Sequence, residues 1–372
     1  RDLHLSLRRQ RQMCIRDRSS ISKILIIQTA FIGDLVLTTP LIRAVRKGFP
    51  LAQISVLTIP KTADLLRDNP HIDMVILYDK RGKQRGIRAF LQLVRKLRRE
   101  RFDLAIVPHR SLRSALLAGL SRIPQRVGFN TSAGVFLFTH KVFYRKNAHE
   151  IERNLDLLRP FGIYLQDKSP EVFPSPNDRD TAAEFLRKNG IQASHRPVAI
   201  APGSVWPTKC WPPERFAEVG KHLFKQFGKK VILIGGEEDR QLCQRIADAL
   251  PSGAGAVAAG QMSLRQSAAL LEMCALLLSN DSAPVHLAVA MKTPVVAIFG
   301  PTVPAFGFAP WGEGHTVVQR RLQCRPCGVH GGRKCPRGHF QCMKGISAEP
   351  VSYTHLRAHE TRHDLVCRLL LE

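Results

Sequence analysis

Twice along this chain, short apolar runs alternate with amphipathic stretches of helical period, and this double alternation limits the fold more than any other feature. From Lys23 the strand-like runs are KILIIQ, QISVLTI, DMVILYD, DLAIVP and QRVGF, with helical patterns between them near residues 35–48, 61–68, 85–101 and 111–120. A further helix is expected over 149–162. YLQDKSPEVFPSPNDRD then follows, dense in Pro, Ser and Asp, and reads as a linker. The alternation restarts with PVAIAPGS, a helix over 213–227, KVILIGG, a helix over 238–249, ALLLSND, a helix over 284–291 and TPVVAIFGP. Strands alternating with helices predict an α/β protein with parallel sheets covered on both faces. The expected architecture is two doubly wound, Rossmann-like domains facing each other across a cleft lined by strand-end loops. Their bounds are 19–165 and 179–350, with 166–178 as the linker.

Length and composition agree with this plan. A chain of 372 residues holds two domains of ordinary size, and 44% apolar with 23% charged residues are globular values. No window approaches eighteen uninterrupted apolar residues, so no transmembrane helix is expected. The basic N-terminus lacks the apolar core of a secretory signal, and a cytoplasmic setting is the default expectation. The two ends, residues 1–18 and 351–372, resemble translated sequencing-adapter read-through and are set apart from fold reasoning as non-native tails.

Setting them apart leaves the charge argument standing. The formal net charge is +26; residues 1–18 hold six Arg and two Asp, and residues 351–372 hold three Arg and three acids, so about +22 remains between them. Such a balance calls for an acidic partner: nucleic acid, an anionic membrane or a phosphorylated substrate. Much of it lies in KRGKQRGIRAFLQLVRKLRRERF, residues 80–102. There Ile87, Phe90, Leu91, Val94 and Leu97 recur at helical spacing and are expected to pack into the core. The basic face opposite suits lipid headgroups or phosphates.

Three kinds of residue carry candidate chemistry. After the first strand, FIGD places Gly33-Asp34 at a strand-to-helix turn, with one glycine and a negative charge where a phosphate loop would have several glycines and none. In the second half, APGSVWPTKCWP offers Ser204, Thr208 and Lys209 before a helix, groups that suit a diphosphate and equally suit a capping loop. SNDSAPVHLAVA then sets Asp281 and Ser282 before a helix with Pro284 near its start. Its free N–H groups suit an anion, while Asp281 as a cap and His286 as a core histidine are the plain alternatives. IFGPTVPAFGFAPWG is a turn-rich loop expected over the same cleft.

Cys324, Cys327, Cys335 and Cys342 form a third group, spaced C-x2-C-x7-C-x6-C, with His330 and His339 between them. Four thiols so close together suit a structural zinc, free thiols or disulfides, and a reducing compartment disfavours the last. Cys14 and Cys367 fall in the two tails.

Taken together, FIGDLVLTTPLIRAV, PGSVWPTKCWP, NDSAPVHLAVAMKTPVVAIFGPT and the cysteine-rich segment resemble the ADP-heptose:lipopolysaccharide heptosyltransferases, the heptosyltransferase II branch most of all, over about residues 22–347. The resemblance implies a GT-B fold and an inverting glycosyl transfer from ADP-L-glycero-D-manno-heptose to the lipopolysaccharide inner core. In it Asp34 is the proposed general base beside Gly33. Lys209 contacts donor phosphates with Ser204 and Thr208 nearby, Asp281 with Ser282 holds the donor near its sugar, and His286 lies on the same helix. No divalent metal is implied for catalysis. The implied partners are the ADP-heptose donor, a lipid-anchored phosphorylated oligosaccharide acceptor and an anionic membrane surface, at the inner face of the inner membrane, with no nucleic acid. Two departures stand out: Ala283 where the family often has glycine, and Cys210 where it often has arginine.

Two other readings are kept in view. One is a GT-B transferase for another nucleotide sugar. The other is a basic nucleic-acid-binding protein with a zinc module, favoured by the charge and the cysteines. The second suffers from having only four Tyr and three Trp for base stacking.

Overall fold

A computed structural model describes residues 20–349 and Val351; the rest of both tails, with Cys14 and Cys367, lies outside the described residues. The chain divides into two compact units. The first runs to Asp178 and takes in Ser263–Ala268 and Ala305–Phe308; the second has Arg179–Met262, Ala269–Pro304 and the described residues from Ala309 onward.

The first unit opens with β1 (Lys23–Ile27), then α1 (Ile32–Val36), α2 (Thr39–Gly48), β2 (Gln53–Thr58), the single turn α3 (Pro60–Ala63) and β3 (Met74–Leu77). It continues with α4 (Ile87–Glu100), β4 (Leu104–Val107), α5 (Leu112–Leu120), β5 (Gln125–Phe129), β6 (His140–Val142) and α6 (Glu150–Asp156). Its six strands are all parallel, in the order β3-β2-β1-β4-β5-β6. The apolar runs explain the central positions: Ile24–Ile27 of β1 and Leu104–Val107 of β4 are fully buried, as a strand covered on both faces must be. Two of the five residues assigned to the core stripe of α4 are not in the core. Phe90, Val94 and Leu97 are buried together with Leu93, but Ile87 and Leu91 are exposed. Packing one side of the helix on the sheet leaves them on the outer side.

Between the units, α7 (Pro176–Lys188) begins inside the stretch read as linker. Its start is a reciprocal cap: the Ser175 N–H donates to the Asp178 carboxylate (2.8 Å) and the Asp178 N–H donates to the Ser175 hydroxyl (3.2 Å). The second unit repeats the plan with β7 (Val198–Ala201), α8 (Pro213–Phe227), β8 (Val231–Leu233), α9 (Arg240–Asp248), β9 (Gly255–Val257) and α10 (Leu264–Glu272). It then has β10 (Leu276–Asn280), α11 (Ala283–Ala290), β11 (Val295–Phe299), β12 (Thr316–Gln319) and the short α12 (Gln341–Lys344). Gly228 ends α8 in the left-handed region (φ +61°), the conformation glycine reaches without cost. The sheet order is β12-β11-β10-β7-β8-β9, again all parallel. Read from β9, this is the same 3-2-1-4-5-6 order as in the first unit. Trp211 and Phe216 meet edge to face (5.0 Å) in its core, and the Trp211 indole N–H donates to the Ile346 carbonyl (3.0 Å). Val351 is buried in that core as well.

Candidate active site

In a 3-2-1-4-5-6 sheet the strand order reverses between strands 1 and 4, and the loops after those two strands part to leave a crevice for ligands. In the first unit these loops follow β1 and β4. Asp34 sits in α1, at the carboxyl end of β1, where its carboxylate accepts the Phe31 N–H at 3.2 Å. The buried Gly33 precedes it in the same turn. Among the described residues Asp34 makes no ion pair. Burial drives its pKa up to about 7, with Glu150 pushing the same way and the Phe31 N–H and Arg110 pulling against them. A carboxylate half-ionised near neutral pH is suited to taking a proton from an alcohol.

The loop after β4 supplies groups that the sequence reading missed. His109 Nδ1 lies 3.0 Å from the Thr29 hydroxyl, 3.2 Å from Ser114 and 3.4 Å from Ser111. Burial, reinforced by Lys80 and Arg110, pulls its pKa down to about 4, so the ring is neutral in this ring of hydroxyls. Lys80 donates to the Thr29 carbonyl (2.6 Å), which closes the β1 turn from the other side. Arg110 stacks on Tyr144 (4.1 Å), and Arg153 approaches the same ring (4.8 Å) while its Nε donates to Glu150 (2.7 Å). One signal in the sequence pointed here: DLAIVP is a strand followed by His-Arg-Ser and a helix. Ser111 caps α5 by accepting the Ser114 N–H.

In the second unit the corresponding loops follow β7 and β10, and they hold the remaining candidates. Lys209 and Asp281 meet as a buried ion pair: Lys209 Nζ donates to Asp281 Oδ2 at 2.6 Å, with side chains 12% and 7% exposed. The Thr302 hydroxyl donates to the same oxygen (2.6 Å). Asn280 ties the two loops together, its amide N–H donating to the Pro202 carbonyl (2.7 Å) and its carbonyl accepting the Trp211 N–H (3.0 Å). Ser282 precedes α11 but turns its hydroxyl back toward the Asn280 carbonyl (3.3 Å) and gives the helix no side-chain cap. The start of α11 therefore keeps N–H groups available at the strand end. Ser204 accepts the Trp206 N–H (3.3 Å), and His286 is buried on α11.

Thr208 has a structural partner that the sequence reading did not foresee. Its hydroxyl donates to the Gly332 carbonyl (2.9 Å) and accepts the Gly332 N–H (2.7 Å), so it anchors the cysteine-rich segment. At the position where the resembled family often has arginine, the Cys210 thiol has its pKa raised by burial and by Asp239.

Cys324, Cys327, Cys335 and Cys342 are free thiols. Three of them line a cavity of about 80 Å³ next to Thr208. Burial and neighbouring thiols push Cys327 and Cys342 up, whereas backbone N–H groups, that of Phe340 first, pull Cys335 down. Yet among the described residues no three Cys, His, Asp or Glu side chains gather as a metal ion requires. The donor chemistry suits zinc; the ligand geometry, as it stands, does not.

Two Rossmann-order units in one chain make a GT-B fold, and the match to a solved glycosyltransferase of that fold puts this chain among the GT-B glycosyltransferases. A family model described as glycosyltransferase family 9 (heptosyltransferase) matches residues 90–335, and the chain belongs to that family. It is 29% identical to lipopolysaccharide heptosyltransferase 2 of Salmonella typhimurium over 294 residues, 76% of this chain and 84% of that one. It is 30% identical to lipopolysaccharide heptosyltransferase 3 of Escherichia coli K12 over 298 residues, 76% and 83% of the two chains. The solved structure of E. coli ADP-heptose LPS heptosyltransferase II superposes with a TM-score of 0.73 at 26% identity, covering 90% of this chain and 98% of that one.

Proposed function

We propose that this glycosyltransferase moves L-glycero-D-manno-heptose from ADP-heptose to the inner core of lipopolysaccharide with inversion, as a heptosyltransferase II-like enzyme. The observation that carries the reading is Asp34, a carboxylate at the switch point of the first unit with its pKa raised to about 7. An acceptor hydroxyl attacks the anomeric carbon, the bond from that carbon to the diphosphate oxygen breaks, and Asp34 takes the hydroxyl proton. General-base assistance of this kind contributes roughly 10²–10⁴-fold.

The departing ADP needs charge compensation, and the second unit has the groups for it. Lys209 spends one N–H on Asp281 and has two left for phosphate oxygens. The uncapped start of α11 adds backbone N–H groups. Protein cations in this role leave no step that calls for a divalent metal, and activity in EDTA tests that. Names among the relatives support the donor and acceptor: lipopolysaccharide heptosyltransferases 2 and 3, and an ADP-heptose enzyme. The acceptor is then a lipid-anchored, phosphorylated oligosaccharide, met at the inner face of the inner membrane.

The test is Asp34→Asn, assayed for ADP binding and for transfer. We expect ADP affinity to stay and transfer to collapse; wild-type turnover would remove Asp34 from the mechanism. Running ADP-heptose against other nucleotide sugars in one assay separates this donor from the alternatives. Offering acceptors of the heptosyltransferase 2 and 3 type separates the two branches.

A further inference from the structure

The outer side of α4 and α5 takes no part in the chemistry above, and it combines two properties that rarely share a surface. The first is exposed aliphatic and aromatic area. Ile87 and Leu91, one turn apart on α4, are 69% and 40% exposed. On α5, Leu112 and Leu120 are exposed at the same side of the helix while Ala115, Leu117 and Ala118 are buried. Phe136, 72% exposed, lies close by, because the chain at Gly134 runs against Leu112 and Ala115. The two helices adjoin: the Ser121 hydroxyl at the end of α5 donates to the Val94 carbonyl of α4 (3.4 Å), and Arg113 reaches over the Phe90 ring (6.0 Å).

The second property is cationic charge without counter-charge. Residues 80–101 hold ten Lys and Arg against one acid, Glu100. Glu100 is engaged by Lys23 (3.7 Å), and among the described residues none of the ten cations forms an ion pair. Solubility explains neither the density of this charge nor the apolar side chains set among it.

We propose that this face docks on an anionic lipid surface, with Ile87, Leu91 and Phe136 entering the headgroup region and the surrounding Arg and Lys meeting lipid phosphates. No described helix is long and apolar enough to cross a membrane, so contact of this kind is superficial. Polyanion binding alone, as to nucleic acid, would use the cations but leave the aliphatic side chains without a role. The proposal rests on the reading that the acceptor is lipid-anchored: a surface-docked first unit would meet that acceptor where it lies.

The experiment uses the full chain with vesicles of phosphatidylcholine, alone or mixed with phosphatidylglycerol, in a sedimentation assay. Binding is expected only to the mixed vesicles, and weaker at high salt. The double variant Ile87→Ser/Leu91→Ser should lower partitioning by about tenfold or more, and Arg88→Gln/Arg95→Gln by a similar factor. Thermal unfolding, and transfer to a soluble delipidated acceptor, should match wild type in both. No binding to mixed vesicles, or binding that ignores both variants, overturns the proposal. Duplex DNA bound equally well, with losses only in the arginine variant, would assign the face to nucleic acid and overturn it too. The soluble-acceptor assay judges the proposed function separately: wild type inactive there defeats that reading, whatever the vesicles show.

Discussion

The two units share a strand order, yet the groups at their switch points follow opposite electrostatic rules. At the first, Asp34 makes no ion pair among the described residues, and burial, with Glu150 adding to it, raises its proton affinity. At the second, Asp281 is held by Lys209 and Thr302 in a closed polar group. Topology therefore chooses where a site lies, and local partners choose what it can do. Under the proposed function, the unpaired carboxylate takes a proton, whereas the paired one orders a cation for an anionic ligand.

The strongest way to break this contrast is to neutralise each aspartate in turn. Asp34→Asn should cost transfer roughly 10²–10⁴-fold, while leaving the protein more stable above pH 7. The sign follows from the raised pKa: the folded state binds a proton more tightly than the unfolded one between about 3.8 and 7, so the ionised carboxylate opposes folding at higher pH. Asp281→Asn should do the reverse. It strands the Lys209 ammonium in a buried position and costs about 3–5 kcal/mol, read by urea unfolding, together with weaker ADP binding. Equal stability losses in the two variants would erase the contrast.

A smaller effect sharpens it. Transfer should rise with pH through about 7 as Asp34 loses its proton, and Glu150→Gln should move that limb to lower pH by removing a like charge. A limb that stays in place would show burial alone sets the value. Smaller again, Thr208→Val should loosen the cysteine-rich segment at Gly332 for about 1 kcal/mol, with little change in ADP affinity. A large loss of ADP affinity would give Thr208 a direct part in holding the donor. Metal analysis of the purified protein completes the series. Because no three ligands gather around one point among the described residues, we expect no stoichiometric zinc and little effect of chelator on unfolding; one bound zinc per chain would mean the segment closes around it.

Much of this was legible in the sequence because fully buried parallel strands must be written as apolar runs. KILII, DLAIV and ALLLS announce their strands without help from their neighbours. Of the four described edge strands, β3 was legible as DMVILYD, but the other three escape that rule. HKV of β6, GAV of β9 and TVVQ of β12 are short and only partly covered, and none was anticipated. The start of α7 was misread because Ser, Pro, Asn and Asp serve linkers and helix caps alike, although Ser175 and Asp178 stand at cap spacing.

The site divides in the same way. Gly33, Asp34, Ser204, Lys209, Asp281, Ser282 and His286 lie in segments that follow strand ends, so the alternation pointed to their neighbourhood, and the resemblance to a known family supplied their expected roles. Partnership was another matter. That Lys209 pairs with Asp281 across 72 positions, that Thr208 turns to Gly332, that His109 meets Thr29, and that Arg110 and Glu150 act on the Asp34 charge are products of the tertiary fold, which among other things brings β4 beside β1 and β10 beside β7. The same holds for the outer face of α4, where period predicted five core residues and packing kept three. The sequence by itself determined the two-unit α/β plan, because burial requires apolar periods that a reader can count. Proton affinity, pairing and exposure were decided only by the tertiary structure, because they depend on charges and surfaces that meet after the chain has folded.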